Sequence, residues 1–271
     1  MSISRYEYTE RNLAEINPLL ASIIYSRKTC TNSADDRPLI AEVSREELFF
    51  LYDFIKSRPE VRHVLEIGCA MGISSVAILS ALKTGNGSFS LLSCDPYQDS
   101  DVYSNIGRRH VALAGFTQFE CPNIASETLL PQLVAEHRRY DMVFQDGLHT
   151  LDHSLLEFHY IDRLTRVGGF VVYDDVDMNH MNRFIRYISL YPHWELIACA
   201  GRPAWSAGRR LLGACKAMFS PIVRCIPRNL GLEFFSDTLY RLDGSLGLNS
   251  SMIALRKTAE DSRTYTYNTK F

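Results

Sequence analysis

The run Val64-Leu65-Glu66-Ile67-Gly68-Cys69-Ala70-Met71-Gly72-Ile73-Ser74-Ser75 leaves a short apolar strand and opens a helix. Gly68 lets the backbone turn tightly and come close to a ligand, because a Cβ would collide there, and Gly72 does the same where the helix begins. The spacing is GxxxG, unlike the GxGxxG of dinucleotide-binding folds, and no helix N-terminus is set up for a pyrophosphate. A nicotinamide-dependent reductase therefore fails on the glycine spacing. A ligand with a nucleoside but no diphosphate suits the loop better. Asp95 closes the next strand, where a carboxylate can accept hydrogen bonds from both ribose hydroxyls.

Outward from this loop, short apolar runs alternate with helices. Strands are predicted at His63–Ile67, Phe89–Cys94, Gln118–Cys121, Asp141–Gln145, Gly169–Tyr173, Trp194–Ala200 and Met252–Leu255. Helices are predicted at Ser75–Lys83 and at Leu151–Leu164, where Leu151, Leu155, Phe158 and Ile161 recur at helical spacing. Such alternation implies an α/β fold with a mostly parallel, seven-stranded Rossmann-like sheet and helices on both faces. Ligands in these sheets bind beyond the carboxyl ends of the strands. Residues 1–60 read as a helical cap, broken at Thr29–Pro38. There Ser44 and Glu47 form a capping box ahead of a helix over Arg45–Ser57. Residues 61–200 are the core, 201–248 an insertion, and 249–271 the last strand and tail.

The totals bound the function. A chain of 271 residues, 46% apolar and 22% charged, fits one large α/β domain with additions. Its formal charge of -2 argues against a nucleic-acid partner held by phosphate neutralisation. Met1–Arg11 carries no apolar stretch of a secretory signal, and no run is long enough to span a membrane. The seven cysteines are scattered, without a CxxC pair, as expected for reduced thiols in a cytoplasmic protein.

Two further strand ends carry acids: Asp146 in Phe144-Gln145-Asp146-Gly147-Leu148-His149, and the pair Asp174-Asp175 after Tyr173. If those strands are neighbours, three carboxylates converge and repel unless protons or a cation sit among them. Hard oxygen ligands of this kind suit Mg²⁺. His149 stands three residues beyond Asp146, and an imidazole there can accept a proton near neutral pH. His63, His153, His159 and His193 are read as structural.

Glu66-x-Gly68-x-x-x-Gly72 followed by Asp95 resembles the S-adenosylmethionine (SAM) signature of class I methyltransferases, over about Val61 to Ala200. The resemblance implies that the glycine loop approaches the methionine part of SAM and that Asp95 holds the ribose. By position it also implies that Ser74 contacts the methionine carboxylate and that Ser126 lies beside the adenine. The acidic positions resemble the branch that includes catechol O-methyltransferase and bacterial enzymes tailoring sugars and other natural products. That branch implies Mg²⁺ held by Asp146, Asp174 and Asp175, with Asp146 also facing the cofactor and His149 as general base. Gln145 and Leu148 depart from the pattern of many relatives, and Leu148 could alter the substrate wall. The tripeptide Asp95-Pro96-Tyr97 is similar to an amine-methylating motif of DNA enzymes, but it follows the wrong strand and lacks the second proline.

The expected activity is methyl transfer to a hydroxyl of a small molecule such as a sugar, polyketide or phenol. The alternative is a SAM-binding partner or regulatory protein without catalysis. From Gly201 to Leu230 there are six basic residues, Arg202, Arg209, Arg210, Lys216, Arg224 and Arg228, and no acidic one. Interleaved with Leu211, Leu212, Met218, Phe219, Ile222 and Val223, they suggest a substrate lid, a homo-oligomer contact, or a peripheral membrane contact.

Overall fold

The computed structural model describes all residues except 1–2, 31–35, 41–42, 201–206, 233, 265 and 268–271. The break expected at Thr29–Pro38 lies partly outside the described residues, and Arg202 wholly so.

Successive elements are β1 (Ser4–Tyr6), α1 (Pro18–Ser26), α2 (Arg45–Lys56), β2 (His63–Ile67), α3 (Ile73–Lys83), β3 (Ser90–Cys94) and α4 (Ile106–Leu113). Then come β4 (Phe119–Glu120), α5 (Ser126–Ala135), β5 (Tyr140–Gln145), α6 (Leu151–Leu164), β6 (Thr165–Tyr173), α7 (Asn179–Ile188) and β7 (Trp194–Ala200). The insertion supplies α8 (Ala207–Val223), α9 (Arg228–Gly231) and α10 (Asp237–Tyr240) before β8 (Met252–Lys257).

The strands form one sheet in the order β1-β7-β8-β6-β5-β2-β3-β4. It is parallel except where β8 runs antiparallel to β6 and β7. The sheet therefore has eight strands, not the expected seven. The added one, β1, pairs Ser4–Tyr6 with Ala198–Ala200 along the free edge of β7. Three residues are too few to display an alternating pattern.

Period-two alternation divides the core between the two faces of the sheet. Val64, Met142, Phe144, Phe170 and Val172 pack toward α1 to α4, while Leu65, Ile67, Val143, Val171 and Tyr173 pack toward α5 to α7. Helix α2 begins at the expected capping box. Ser44 Oγ accepts from Glu47 N–H, and Glu47 Oε2 accepts from Ser44 N–H at 2.7 Å. It buries Leu48, Phe49, Phe50, Leu51, Phe54 and Ile55, with the Phe54 ring edge-on to Phe170 of β6 at 5.5 Å. Burial of each such side chain is worth about 1.5–3 kcal/mol, which fixes α2 across the sheet.

The chain runs outward through β2, β3 and β4, then returns to place β5 on the other side of β2. Strand order reverses there, leaving a crevice beyond the strand ends. Gly68, at φ +92°, sits in it, and a Cβ built on it would lie 2.1 Å from the carbonyl oxygen of Asp146. Gly72 is likewise at positive φ, against the Gly107 backbone. Both glycines thus serve backbone-to-backbone contact within the protein, in addition to any ligand.

Gly68→Ala should lower unfolding stability by about 2–4 kcal/mol, since neither backbone can yield cheaply. Gly87 has a similar φ of +90° but open space around it. Gly87→Ala should therefore cost only the left-handed conformation, about 1–2 kcal/mol. Equal shifts in urea midpoint for the two variants would contradict the contact.

Candidate active site

Strand β5 is the hub. Its Gln145 is level with Ile67 of β2 on one side and Tyr173 of β6 on the other. The residues that follow, Gly68, Asp146 and Asp174, therefore emerge side by side. A cavity of about 240 Å³ lies over them, lined by Gly68 to Met71, Ile73, Ser74, Asp146, Asp174 and Asp175, with Val43, Glu47 and Tyr103 closing it. Of the predicted site residues, Gly68, Ser74, Asp146, Asp174 and Asp175 are brought together on this wall. Glu66, Gly72, Asp95, Ser126 and His149 do not line it.

Those other residues have identifiable work. Glu66 is fully buried and accepts hydrogen bonds from Ser74 Oγ (2.7 Å) and from Ser75 Oγ. Burial lifts its carboxyl from 4.5 to about 7, against the pull of the serine hydroxyls. Ser74 thus lines the cavity while its hydroxyl proton is spent on Glu66. Asp95 accepts from the amides of Ala70 (2.7 Å) and Tyr97 (2.8 Å), tying the glycine loop to the end of β3. Each of its oxygens retains further acceptor capacity for a ribose. Ser126 Oγ donates to the buried Glu157 Oε1 at 2.6 Å and lies 3.1 Å from His153 Nε2. Gln145 Nε2 donates to the other Glu157 oxygen at 2.8 Å. The hydroxyl expected beside an adenine is thereby held within a buried network under the loop.

The acids gather as the register requires, with one difference in detail. His149 Nε2 stands 3.4 Å from Asp146 Oδ1 and 3.3 Å from Asp175 Oδ2. Asp146, His149 and Asp175 offer ligand atoms within 4.8 Å of one another, a set that a divalent cation could take. Asp174, expected as the third ligand, is not in that set. Its Oδ1 accepts the Asp175 N–H at 2.8 Å, and Asp175 adopts φ +54° in the same turn.

Burial raises the Asp174 carboxyl well above the usual range, and the charges of Asp146, Glu47 and Asp175 add to the effect. Burial also raises Asp146, partly offset by His149, and raises Asp175. Burial alone would lower the His149 pKa, but Asp146 and Asp175 outweigh it and the net shift is upward. His149 Nδ1 is buried without a hydrogen-bond partner.

Glu47 is the residue that sequence reasoning missed. Its capping-box role is correct, yet the same side chain places a fourth carboxylate on the cavity wall. Nothing local to Glu47 marks this, because it follows from how α2 crosses the sheet. The lining contains no Lys or Arg. A larger cavity, about 1000 Å³, lies elsewhere, between α6, α7 and the segment around α10. The described residues of the insertion contribute to that cavity and none lines the acidic one.

Residues 65–176 match the family model described as a methyltransferase domain. No curated protein matches the chain in sequence. The fold is similar to that of the Bacillus cereus O-methyltransferase in complex with SAH, at 18% identity and TM-score 0.54, covering 68% of this chain and 86% of that one. It is also similar to a cofactor-bound protein from MTB, at 18% identity and TM-score 0.53, covering 70% and 90%. The Streptomyces achromogenes O-methyltransferase TomG, involved in tomaymycin synthesis and determined with SAM, aligns at 20% identity and TM-score 0.50, covering 70% and 82%.

The buried Glu66 yields a pH prediction. Between pH 4.5 and about 7 the folded carboxyl keeps a proton that the unfolded chain has released. The stability it contributes is therefore full below the lower value and lost as pH rises through the upper one. Glu66→Gln should flatten this part of the profile. Urea midpoints measured at about pH 5 and about pH 8 should differ less in the variant than in the wild type. An unchanged difference would contradict the assignment.

Proposed function

We propose that the chain, whose residues 65–176 match a methyltransferase-domain model, uses SAM to transfer a methyl group to a hydroxyl oxygen of a small molecule. A divalent metal is proposed to assist, and a sugar, polyketide or phenol is the acceptor class in view. The observation that carries this reading is the charge of the cavity: Glu47, Asp146, Asp174 and Asp175 line it beside the glycine loop, with no basic side chain among the lining residues. Such a wall favours cations. A methyl sulfonium and a divalent metal are the two that the proposed reaction needs.

SAM would supply an electrophilic methyl group. Gly68 to Met71 and Ser74 would hold it along the cavity wall, and Asp95 would accept from its ribose. A metal would be held by Asp146 and Asp175, with Asp174 near enough to add its charge. When bound, it makes a coordinated hydroxyl more acidic. The role assigned to His149 is to take the hydroxyl proton. Part of the barrier is removed simply by alignment in a pocket closed by α2 and Tyr103.

The 3.3–3.4 Å spacings favour a second assignment as well, His149 as third metal ligand. An imidazole in the set would shift preference from Mg²⁺ toward Mn²⁺ or Zn²⁺. In its favour, His149 reaches the acids but does not line the cavity.

Methyl transfer from SAM to a panel of vicinal diols and catechols should be detectable with Mg²⁺ or Mn²⁺ and abolished by EDTA. Activity unchanged in EDTA would remove the metal from the account. His149→Ala should lower kcat roughly a hundred- to ten-thousand-fold. If His149 is the base, metal affinity stays within a few-fold of wild type; if it is a ligand, affinity falls with activity. Full activity in the variant would eliminate both roles.

A further inference from the structure

Helix α8 is anchored to the body near its C-terminal end. Ser220 Oγ donates to the Leu239 carbonyl at 2.7 Å, and just beyond the helix Arg224 Nε donates to the Tyr240 carbonyl at 3.0 Å. Ser220 and Val223 are buried, whereas Leu211, Leu212, Met218, Phe219 and Ile222 are exposed. At 100° per residue those five, with Cys215, fall within an arc of roughly 120°, across the helix from Ser220 and bordering Val223. The stripe therefore points away from the protein. Leu211 is 67% and Ile222 68% exposed, and Phe234 beyond the helix is 84% exposed. Soluble monomers seldom leave so continuous an apolar band uncovered.

Charge identifies what covers it. The stretch from Gly201 to Leu230 has six basic residues and no acid, in a chain of net charge -2. Arg228 is committed to Asp237 at 2.9 Å. Arg209 and Arg210 precede Leu211 in the chain, and Lys216 follows Leu212 by one helical turn. A second copy docked about a two-fold axis would set this basic stretch against itself, with no acid in it to pair.

We propose that α8 and the residues after it dock on an anionic lipid surface. The apolar stripe would enter the boundary between headgroups and acyl chains, and Lys216, with the net positive charge of this stretch of sequence, would be drawn to lipid phosphates. Among the described residues, no helix is long and apolar enough to cross a membrane, so the contact is peripheral. The inference is independent of the methyl-transfer reading, because none of the described residues of α8 lines the acidic cavity.

The test is co-sedimentation of the full chain with phosphatidylcholine vesicles, with and without roughly a third phosphatidylglycerol. Binding is expected only to the anionic vesicles, weakening about tenfold when salt is raised from about 0.05 M to about 0.5 M. The double substitution Leu211→Asp with Ile222→Asp should lower it at least about tenfold, and Lys216→Glu by a smaller factor. Both variants alter side chains away from the core, so far-UV circular dichroism and SAM affinity should be unchanged. Failure of the wild type to sediment, equal binding to both vesicle types, or full binding by the double variant would each overturn the proposal. A dimer that the double variant dissociates, without vesicle binding by the wild type, would overturn it in favour of a second copy.

Discussion

The contact between Gly68 and the backbone of Asp146 is the constraint on which the arrangement depends. A Cβ at position 68 would come within 2.1 Å of the Asp146 carbonyl oxygen. Without one, the end of β2 can press against the end of β5, and Asp146 N–H reaches the Ile67 carbonyl at 2.9 Å. The glycine loop and the first acid then share one wall. The parallel register of β5 with β6 adds Asp174 and Asp175 without any special device.

That proximity has an electrostatic consequence. Four carboxylates around a cavity of about 240 Å³ cannot all be charged, at low cost, without a counter-charge. Burial first, and then the neighbouring carboxylates, raise Asp146, Asp174 and Asp175, and the imidazole of His149 between Asp146 and Asp175 offsets part of it. The buried Glu66 belongs to the same economy, kept in place by two serine hydroxyls from the first turn of α3. A cation entering the cavity would relieve repulsion already built into the fold, which is a form of preorganisation.

Much of this was legible in the chain because strands end where chemistry begins. The bounds of β2, α6 and β7 coincide with their expected ranges, each being an apolar or amphipathic run with polar or turn-forming residues at its ends. The acids after β5 and β6 stand out for the same reason. Other features were hidden by the limits of local pattern. β1 is three residues long and acquires its identity only by pairing with β7. Glu47 looked like a cap and is one, but its second role depends on the crossing of α2 over the sheet. Ser126 was placed by position in a loop, whereas its hydroxyl answers to Glu157, which lies 31 residues away in sequence. Asp174 and Asp175 cannot be told apart by sequence, because the positive φ of Asp175 sends neighbouring carboxylates to different partners.

The insertion shows the opposite case, in which composition was informative and location was not. Its basic and apolar character was evident, but where its described residues line a cavity, around α10, it is the larger one and not the acidic one. The central claim concerns the acidic cavity alone. The most direct measurement is a crystal structure with S-adenosylhomocysteine and Mn²⁺, with anomalous scattering used to locate the metal. The account predicts a manganese peak bounded by Asp146 and Asp175 and the thioether over Gly68 to Met71. Ligand in the larger cavity, or no metal peak beside an occupied glycine loop, would contradict it.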